Sequence, residues 1–127
     1  MSTPDSTPTI LIVEDDEPIR ELYRAKFTQQ GYSVATAVNG RDGLRQADQL
    51  RPDIILLDLR MPVMTGDEML ARLRATDWGS EIRVVILTNI SKSEAPMSLR
   101  YLHVDRYVTK VHHTPSQIVE IVREVLA

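Results

Sequence analysis

Apolar runs and amphipathic runs alternate along this chain with a regularity that few folds accept. Five short stretches are rich in β-branched and aliphatic residues: "TILIV" (9–13), "YSVATA" (32–37), "DIILLD" (53–58), "IRVVILT" (82–88) and "DRYVTK" (105–110). Each is followed by a segment with helical periodicity. Ile19, Leu22, Tyr23, Lys26 and Phe27 share one helical stripe that stops at Gly31, a C-cap residue; Leu44, Ala47 and Leu50 form a second, ending before Pro52. Met69, Leu70 and Leu73 form a third, and Ser93–Leu102 a fourth with Pro96 near its start. The fifth is capped by Thr114 with Pro115 in first position and carries Ile118, Ile121, Val122 and Val125, chiefly a core stripe. Asn39-Gly40 reads as a turn. Five strand–helix units in succession predict a parallel sheet with helices on both faces. The first, third and fourth strands are nearly all apolar, as central parallel strands buried on both sides must be.

The chain has 127 residues, the length of one domain, and no repeat or interior linker divides it. Residues 1–8, "MSTPDSTP", read as a disordered Ser/Thr/Pro tail and 9–127 as the folded domain. The net charge of −3 gives no electrostatic footprint for nucleic acid or an anionic membrane, and no apolar run approaches a transmembrane span. Cysteine is absent, which removes disulfides and thiolate metal sites and fits a cytoplasmic protein.

Ligands of open parallel α/β sheets bind outside the carboxyl ends of the strands. Strand one leaves Glu14, Asp15 and Asp16 there, strand three Asp58, strand four Thr88 and strand five Lys110. Singly, each has an ordinary reading: Asp16, two before Pro18, caps the first helix, Thr88 is a strand threonine, Lys110 a solvated strand end and Asp58 a turn former ahead of Met61-Pro62. Together they describe one site. Clustered carboxylates repel unless a cation lies between them, and an all-oxygen set without His or Cys favours Mg²⁺. A carboxylate nucleophile beside a divalent ion and a lysine suits phosphoryl transfer, with the cations offsetting charge on the phosphoryl oxygens.

These residues resemble the receiver (response regulator) domain of two-component phosphorelay signalling, in its stand-alone single-domain form. "ILIVEDDEPIREL" is similar to that family's first strand and acidic turn, "PDIILLDLRMPVMTG" to its phosphoacceptor segment, and "VVILT" and "DRYVTK" to its switch-threonine and lysine strands; the resemblance covers residues 9–127. It implies a flavodoxin-like doubly wound (βα)5 fold with five parallel strands in the order 2-1-3-4-5. It implies Asp58 as the phosphoacceptor, Asp15, Asp58 and the backbone carbonyl of Arg60 as Mg²⁺ ligands, and Glu14 acting through water. Lys110 would pair with the phosphoryl group, and Thr88 and Tyr107 would be the switch residues. The implied function is to accept a phosphoryl group from a histidine kinase or phosphotransfer protein. The output would pass to a downstream protein through the face formed by helix four, strand five and helix five. Such a protein catalyses only its own phosphorylation and dephosphorylation, binds neither nucleic acid nor membrane directly, and is a monomer or weak dimer.

The sequence departs from the family's pattern at several points. Val111 follows Lys110 where proline is usual, so a trans bond and a differently shaped loop are expected. Asn89 follows Thr88 where a small residue is common, and Arg60 stands two after Asp58, where the side chain tunes dephosphorylation. The fourth-helix segment "SKSEAPMSLRYLH" lacks the usual small residues, which points to an unusual partner surface. His112 and His113 read as a surface loop without metal-ligand spacing, and Trp78 as a half-buried loop residue. The alternatives are a receiver fold that has lost phosphorylation and serves as an interaction module, or a receiver excised from a larger regulator. A nucleotide or flavin binder lacks support, since neither G-x-G-x-x-G nor a P-loop is present.

Overall fold

A computed structural model describes residues 7–127; the predicted tail therefore lies, except for Thr7 and Pro8, outside the described residues. The strands are β1 (Thr9–Val13), β2 (Ser33–Ala37), β3 (Ile54–Leu57), β4 (Arg83–Thr88) and β5 (Arg106–Thr109). The helices are α1 (Glu17–Gln29), α2 (Gly40–Leu50), α3 (Gly66–Arg74) and α4 (Pro115–Leu126). All strand pairs are parallel and the order is β2-β1-β3-β4-β5, as expected.

Alternation of side chains across the strands makes two cores. On one face Ile10, Ile12, Ile54, Leu56 and Val85 pack with Tyr23 and Phe27 of α1 and Ile118, Ile121 and Val122 of α4. On the other, Leu11, Val13, Ile55, Leu57 and Ile86 pack with Ala47 of α2 and Met69, Leu70 and Leu73 of α3. Each such side chain removed from water contributes about 1.5–3 kcal/mol, which is why the central strands tolerate no polar residue before their ends. Two predicted core positions are not core: Leu22 is 51% exposed and Leu50 45% exposed, because each stands at the edge of its helical stripe and turns past the sheet.

Local signals fix the helix ends. Asp16 caps α1 by accepting the Ile19 N–H at 3.1 Å, the role its spacing to Pro18 predicted. Gly31, just past the end of α1, has φ +97°, a conformation that disfavours side-chain-bearing residues. Asn39 is not part of a free turn: it is the N-cap of α2, accepting from the Asp42 N–H at 2.8 Å.

The largest departure from expectation lies between β4 and β5. The predicted fourth helix is two 3-10 turns, Lys92–Glu94 and Met97–Tyr101. Pro96 is the physical cause. It has no N–H to give and drives Ala95 to extended backbone (φ −68°, ψ 152°), so an α-helix cannot run through. Just beyond the turns, the chain is tied to the α3–β4 loop by Arg74, whose guanidinium donates to the carbonyls of Gly79 (2.9 Å), Ile82 (2.7 Å) and His103 (2.7 Å). Trp78 is half-buried, as expected, with the Arg51 guanidinium 4.6 Å from its ring centroid. It stands beside Pro52, Asp53 and Arg83, at the amino ends of β3 and β4.

Candidate functional site

Strand register brings the polar residues to one edge. Val13 pairs with Ala37 and Leu57, Leu57 with Ile86, and Thr88 with Thr109, so the residues after each strand emerge side by side. Glu14 and Asp58 follow β1 and β3 directly, Thr88 is the last residue of β4, and Lys110 follows β5. Glu14, Asp58 and Thr88 are buried, while Asp15 is exposed.

The carboxylates of Glu14, Asp15 and Asp58 present oxygens that all lie within 4.8 Å of one another, and these residues could hold a metal ion. Three acid oxygens at this spacing are hard donors of the kind that a divalent cation with oxygen preference takes, together with water. The Lys110 ammonium stands in the same cluster, 2.5 Å from Glu14 Oε1 and 3.4 Å from Asp58 Oδ2. Asp58 Oδ1 accepts the Leu59 N–H at 2.7 Å, which orients the carboxylate at the strand exit.

Burial, together with the charge of Asp58, pushes the Glu14 carboxyl above the usual range, although the hydrogen bond from Lys110 pulls the other way. Burial would lower the Lys110 ammonium, but Glu14 and Asp58 outweigh it and hold the group above its ordinary value. Two acids thus compete for one buried cation.

A cleft of ≈ 220 Å³ opens beside Asp58, lined by Arg60, Thr88, Asn89, Ile90 and Glu94. Arg60 and Asn89, singled out in the sequence for their places after Asp58 and Thr88, both line this cleft. Tyr107 is half-buried and its hydroxyl donates to the Ile90 carbonyl at 2.7 Å. Burial and the charges of Asp58 and Glu94 raise its pKa. The loop that carries Arg60 is folded tightly onto the strand end: the Gly66 N–H donates to the Leu59 carbonyl at 3.0 Å, and a Cβ on Gly66 would overlap the Asp58 carbonyl oxygen.

Two contributors were not evident from sequence. Glu94 reaches the cleft because the 3-10 turn, not a helix, follows β4. Arg20 donates to the Glu14 carbonyl at 2.9 Å and so braces the acidic turn. A cation in the second turn of the helix after an acidic strand end was the available signal for Arg20; Glu94 had none. His112, His113 and His103 do not join Glu14, Asp15 and Asp58 in the cluster. Peptide bonds in the described chain are trans throughout, Lys110–Val111 included.

Comparison with known proteins gives one answer. The chain is 32% identical over its whole length to the transcriptional regulatory protein PrrA of Mycobacterium leprae, of which it spans 52%. It is 41% identical over 81 residues to the transcriptional regulatory protein AfsQ1 of Streptomyces coelicolor, covering 64% of this chain and 35% of that one. It is 42% identical over 79 residues to the sporulation initiation phosphotransferase F of Bacillus subtilis, covering 62% of each. The chain thus spans about half or less of the transcriptional regulators it matches. Among solved structures, the chemotaxis protein CheY4 of Vibrio cholerae superposes with a TM-score of 0.87 at 27% identity, over 94% of this chain and 99% of that one. The response regulator receiver domain family matches residues 10–123, and with the five-stranded order and the acidic edge described above, the chain belongs to that family.

Proposed function

We propose that this protein is a Mg²⁺-dependent phosphoacceptor, in which Asp58 takes a phosphoryl group from a phosphohistidine and the change is read at a protein-binding surface. The observation that carries this reading is the convergence of Glu14, Asp15, Asp58, Thr88 and Lys110 at one sheet edge beside an open cleft.

Asp58 is the nucleophile. One carboxylate oxygen attacks phosphorus, the P–N bond breaks with its electron pair leaving on the imidazole, and an acyl phosphate forms. The Leu59 N–H keeps the carboxylate aimed out of the strand, and Lys110, already among the acids, offsets charge on the transferred group. Asp15, Asp58 and the Arg60 carbonyl, with Glu14 through water, would hold Mg²⁺, which when bound offsets negative charge on the phosphoryl oxygens. Thr88, which lines the cleft, would donate its hydroxyl to a phosphoryl oxygen. Thr88 would shift toward the phosphoryl group, and Tyr107, hydrogen-bonded to the segment that follows β4, would pass that shift to the surface. Arg60 and Asn89 would set the lifetime of the phosphate. The protein acts catalytically on no other molecule.

The donor is a histidine kinase or a phosphotransfer protein, the partners with which receiver domains interact. The downstream partner is a protein that docks on the face built from the 3-10 segment, β5 and α4. A groove of ≈ 500 Å³ lined by Met97, Leu99, Leu102, Val104 and Tyr107 lies on that face. Among the described residues no helix is long and apolar enough to cross a membrane. On this reading the protein acts in the cytoplasm as a monomer or weak dimer, and the net charge of −3 offers nucleic acid no basic surface.

The test is incubation with Mg²⁺ and acetyl phosphate, followed by intact mass. Wild type should gain one phosphoryl group and Asp58→Asn none. Equal uptake by both, or none by wild type, overturns the assignment. Trp78 is a poor reporter, since it lies at the opposite edge of the sheet.

A further inference from the structure

Lys110 has to hold an ammonium inside the acidic cluster from a segment whose sequence offers no rigidity. Lys110-Val111-His112-His113 contains no proline, and Val111 and His112 are exposed. A lysine side chain is a flexible four-carbon stem, so its head stays in place only if the backbone beneath it is fixed. β5 ends at Thr109, and Lys110–His112 forms a single 3-10 turn whose closing bond, His113 N–H to the Lys110 carbonyl, is long at 3.3 Å. That bond alone is a weak restraint.

Two imidazoles turn back onto the residue before the lysine. His113 Nδ1 lies 2.9 Å from the Thr109 carbonyl oxygen, and because a carbonyl only accepts, Nδ1 carries the proton and donates. His112 Nδ1 lies 2.9 Å from the Thr109 hydroxyl. Neither imidazole is needed to start α4. Thr114 accepts the Gln117 N–H at 3.2 Å and the Gln117 side chain accepts the Thr114 N–H at 2.8 Å, a complete capping box.

We infer that His113, seconded by His112, is a positioning residue: it ties the far side of the turn back to Thr109, which β5 holds against Thr88, and so fixes the backbone that presents the Lys110 ammonium to Glu14 and Asp58. The inference rests on the phosphoacceptor reading of Asp58. The His113 brace is insensitive to protonation of that ring, since Nδ1–H is present both in this neutral tautomer and in the imidazolium. Asparagine places an amide N–H where Nδ1 stands and should substitute; alanine should not.

The experiment measures the initial rate of phosphorylation by acetyl phosphate at saturating Mg²⁺ for wild type, His113→Ala, His113→Asn, Lys110→Ala and Lys110→Ala/His113→Ala. His113→Ala should slow the reaction about fivefold, the factor one ordinary hydrogen bond contributes. The Mg²⁺ concentration for half-maximal rate should stay unchanged, and His113→Asn should recover most of the loss. In the Lys110→Ala background, His113→Ala should have no further effect, because its influence passes through Lys110. A wild-type rate for His113→Ala, or an equal fold loss in both backgrounds, overturns the inference. A second reading is independent of phosphorylation. The stability coupling between Lys110 and Glu14, from a double-mutant cycle in urea, should shrink in His113→Ala; an unchanged coupling overturns the inference even if wild type accepts no phosphoryl group, a result that would by itself sink only the role of Asp58. If His113→Ala does not fold, His113→Gln, whose amide is displaced from the Nδ1 position, takes its place against His113→Asn, and equal rates for the two count against the brace.

Discussion

Lys110 Nζ is 2.5 Å from Glu14 Oε1 but 3.4 Å from Asp58 Oδ2, so the ammonium is held chiefly by Glu14 and not by Asp58. Glu14 has the extra methylene that lets its carboxylate reach across from β1, and its removal from water makes the attachment strong. Asp58 is thereby left with one oxygen on the Leu59 N–H and the other only loosely paired. A phosphoryl group on Asp58 would add negative charge on the near side of Lys110 and draw it away from Glu14.

Removing that cation should be expensive. In Lys110→Met two buried carboxylates lose their partner, and stability should fall by ~3–5 kcal/mol, the usual consequence of breaking a buried ion pair from one side. The loss depends on pH with a definite sign. A carboxyl raised above its unfolded value, as Glu14 is, weakens the folded state as pH rises through the raised value. Without Lys110 the only strong pull downward on Glu14 disappears and the rise is larger. The gap between wild type and Lys110→Met should therefore be widest at pH 8 and narrow towards pH 5, measured by urea denaturation. A gap that widens with acid contradicts the pairing.

Divalent cation should stabilise the fold through the same acids. With Mg²⁺ about 100-fold above its Kd, the gain should be about 2.7 kcal/mol, read as a rise in Tm over an EDTA control at matched ionic strength. Asp15→Asn should abolish the gain while leaving the metal-free Tm close to wild type, because Asp15 is exposed and its side chain makes no ion pair among those found in the described residues. An undiminished Mg²⁺ response in Asp15→Asn would place the ion elsewhere.

The fold was legible because its dominant signal is local. Central strands such as "DIILLD" and "RVVILT" are apolar on both faces and end abruptly in polar residues, so both the sheet and its functional edge can be read from spacing. Glu14, Asp58, Thr88 and Lys110 meet where that reading predicted, since strand register alone carries them there. What escaped depends on geometry finer than periodicity. The exposure of Leu22 depends on how α1 is rotated over the sheet, Glu94 reaches the cleft only through the shape of a 3-10 turn, and the imidazole contacts on Thr109 depend on rotamers. Pro96 is plain in the sequence, and it overrides the helical periodicity of the residues around it.

Pro96 leads to a direct test of that last point. Ser91 and Glu94 carry an S-x-x-E start signal, with Ser91 Oγ 3.0 Å from Glu94 Oε1, so the chain begins a helix after β4 and abandons it within one turn. Proline in a helix interior costs about 3 kcal/mol, enough to explain the break. Pro96→Ala should let residues 92–101 extend as α-helix and deepen the ellipticity at 222 nm. It should also alter the groove lined by Met97, Leu99 and Leu102. An unchanged spectrum would mean that the Arg74 anchor on the His103 carbonyl, and not proline, dictates the turns.

Val63 stores strain in the loop that follows Asp58. Its φ is +71°, and the Met64 N–H donates to the Pro62 carbonyl at 2.7 Å, which closes a γ-turn on a β-branched residue. The side chain is 71% exposed and offers little packing in return, so the surroundings must impose the conformation. They do so on both sides: Met61 is buried, the Gly40 N–H donates to the Met64 carbonyl at 3.0 Å, and Gly66 is pressed against Asp58. Val63→Asn, a residue several-fold enriched at positive φ where a β-branched one is an outlier, should therefore raise stability by about 1 kcal/mol, part of the roughly 1–3 kcal/mol that a sparsely populated backbone conformation costs. Phosphorylation of Asp58 by acetyl phosphate should be unaffected, because the two anchors hold Arg60 and the strand exit whichever residue occupies position 63. A loss of stability in Val63→Asn, measured by urea denaturation, would show that the turn is relaxed, and a changed phosphorylation rate would show that its strain reaches Asp58.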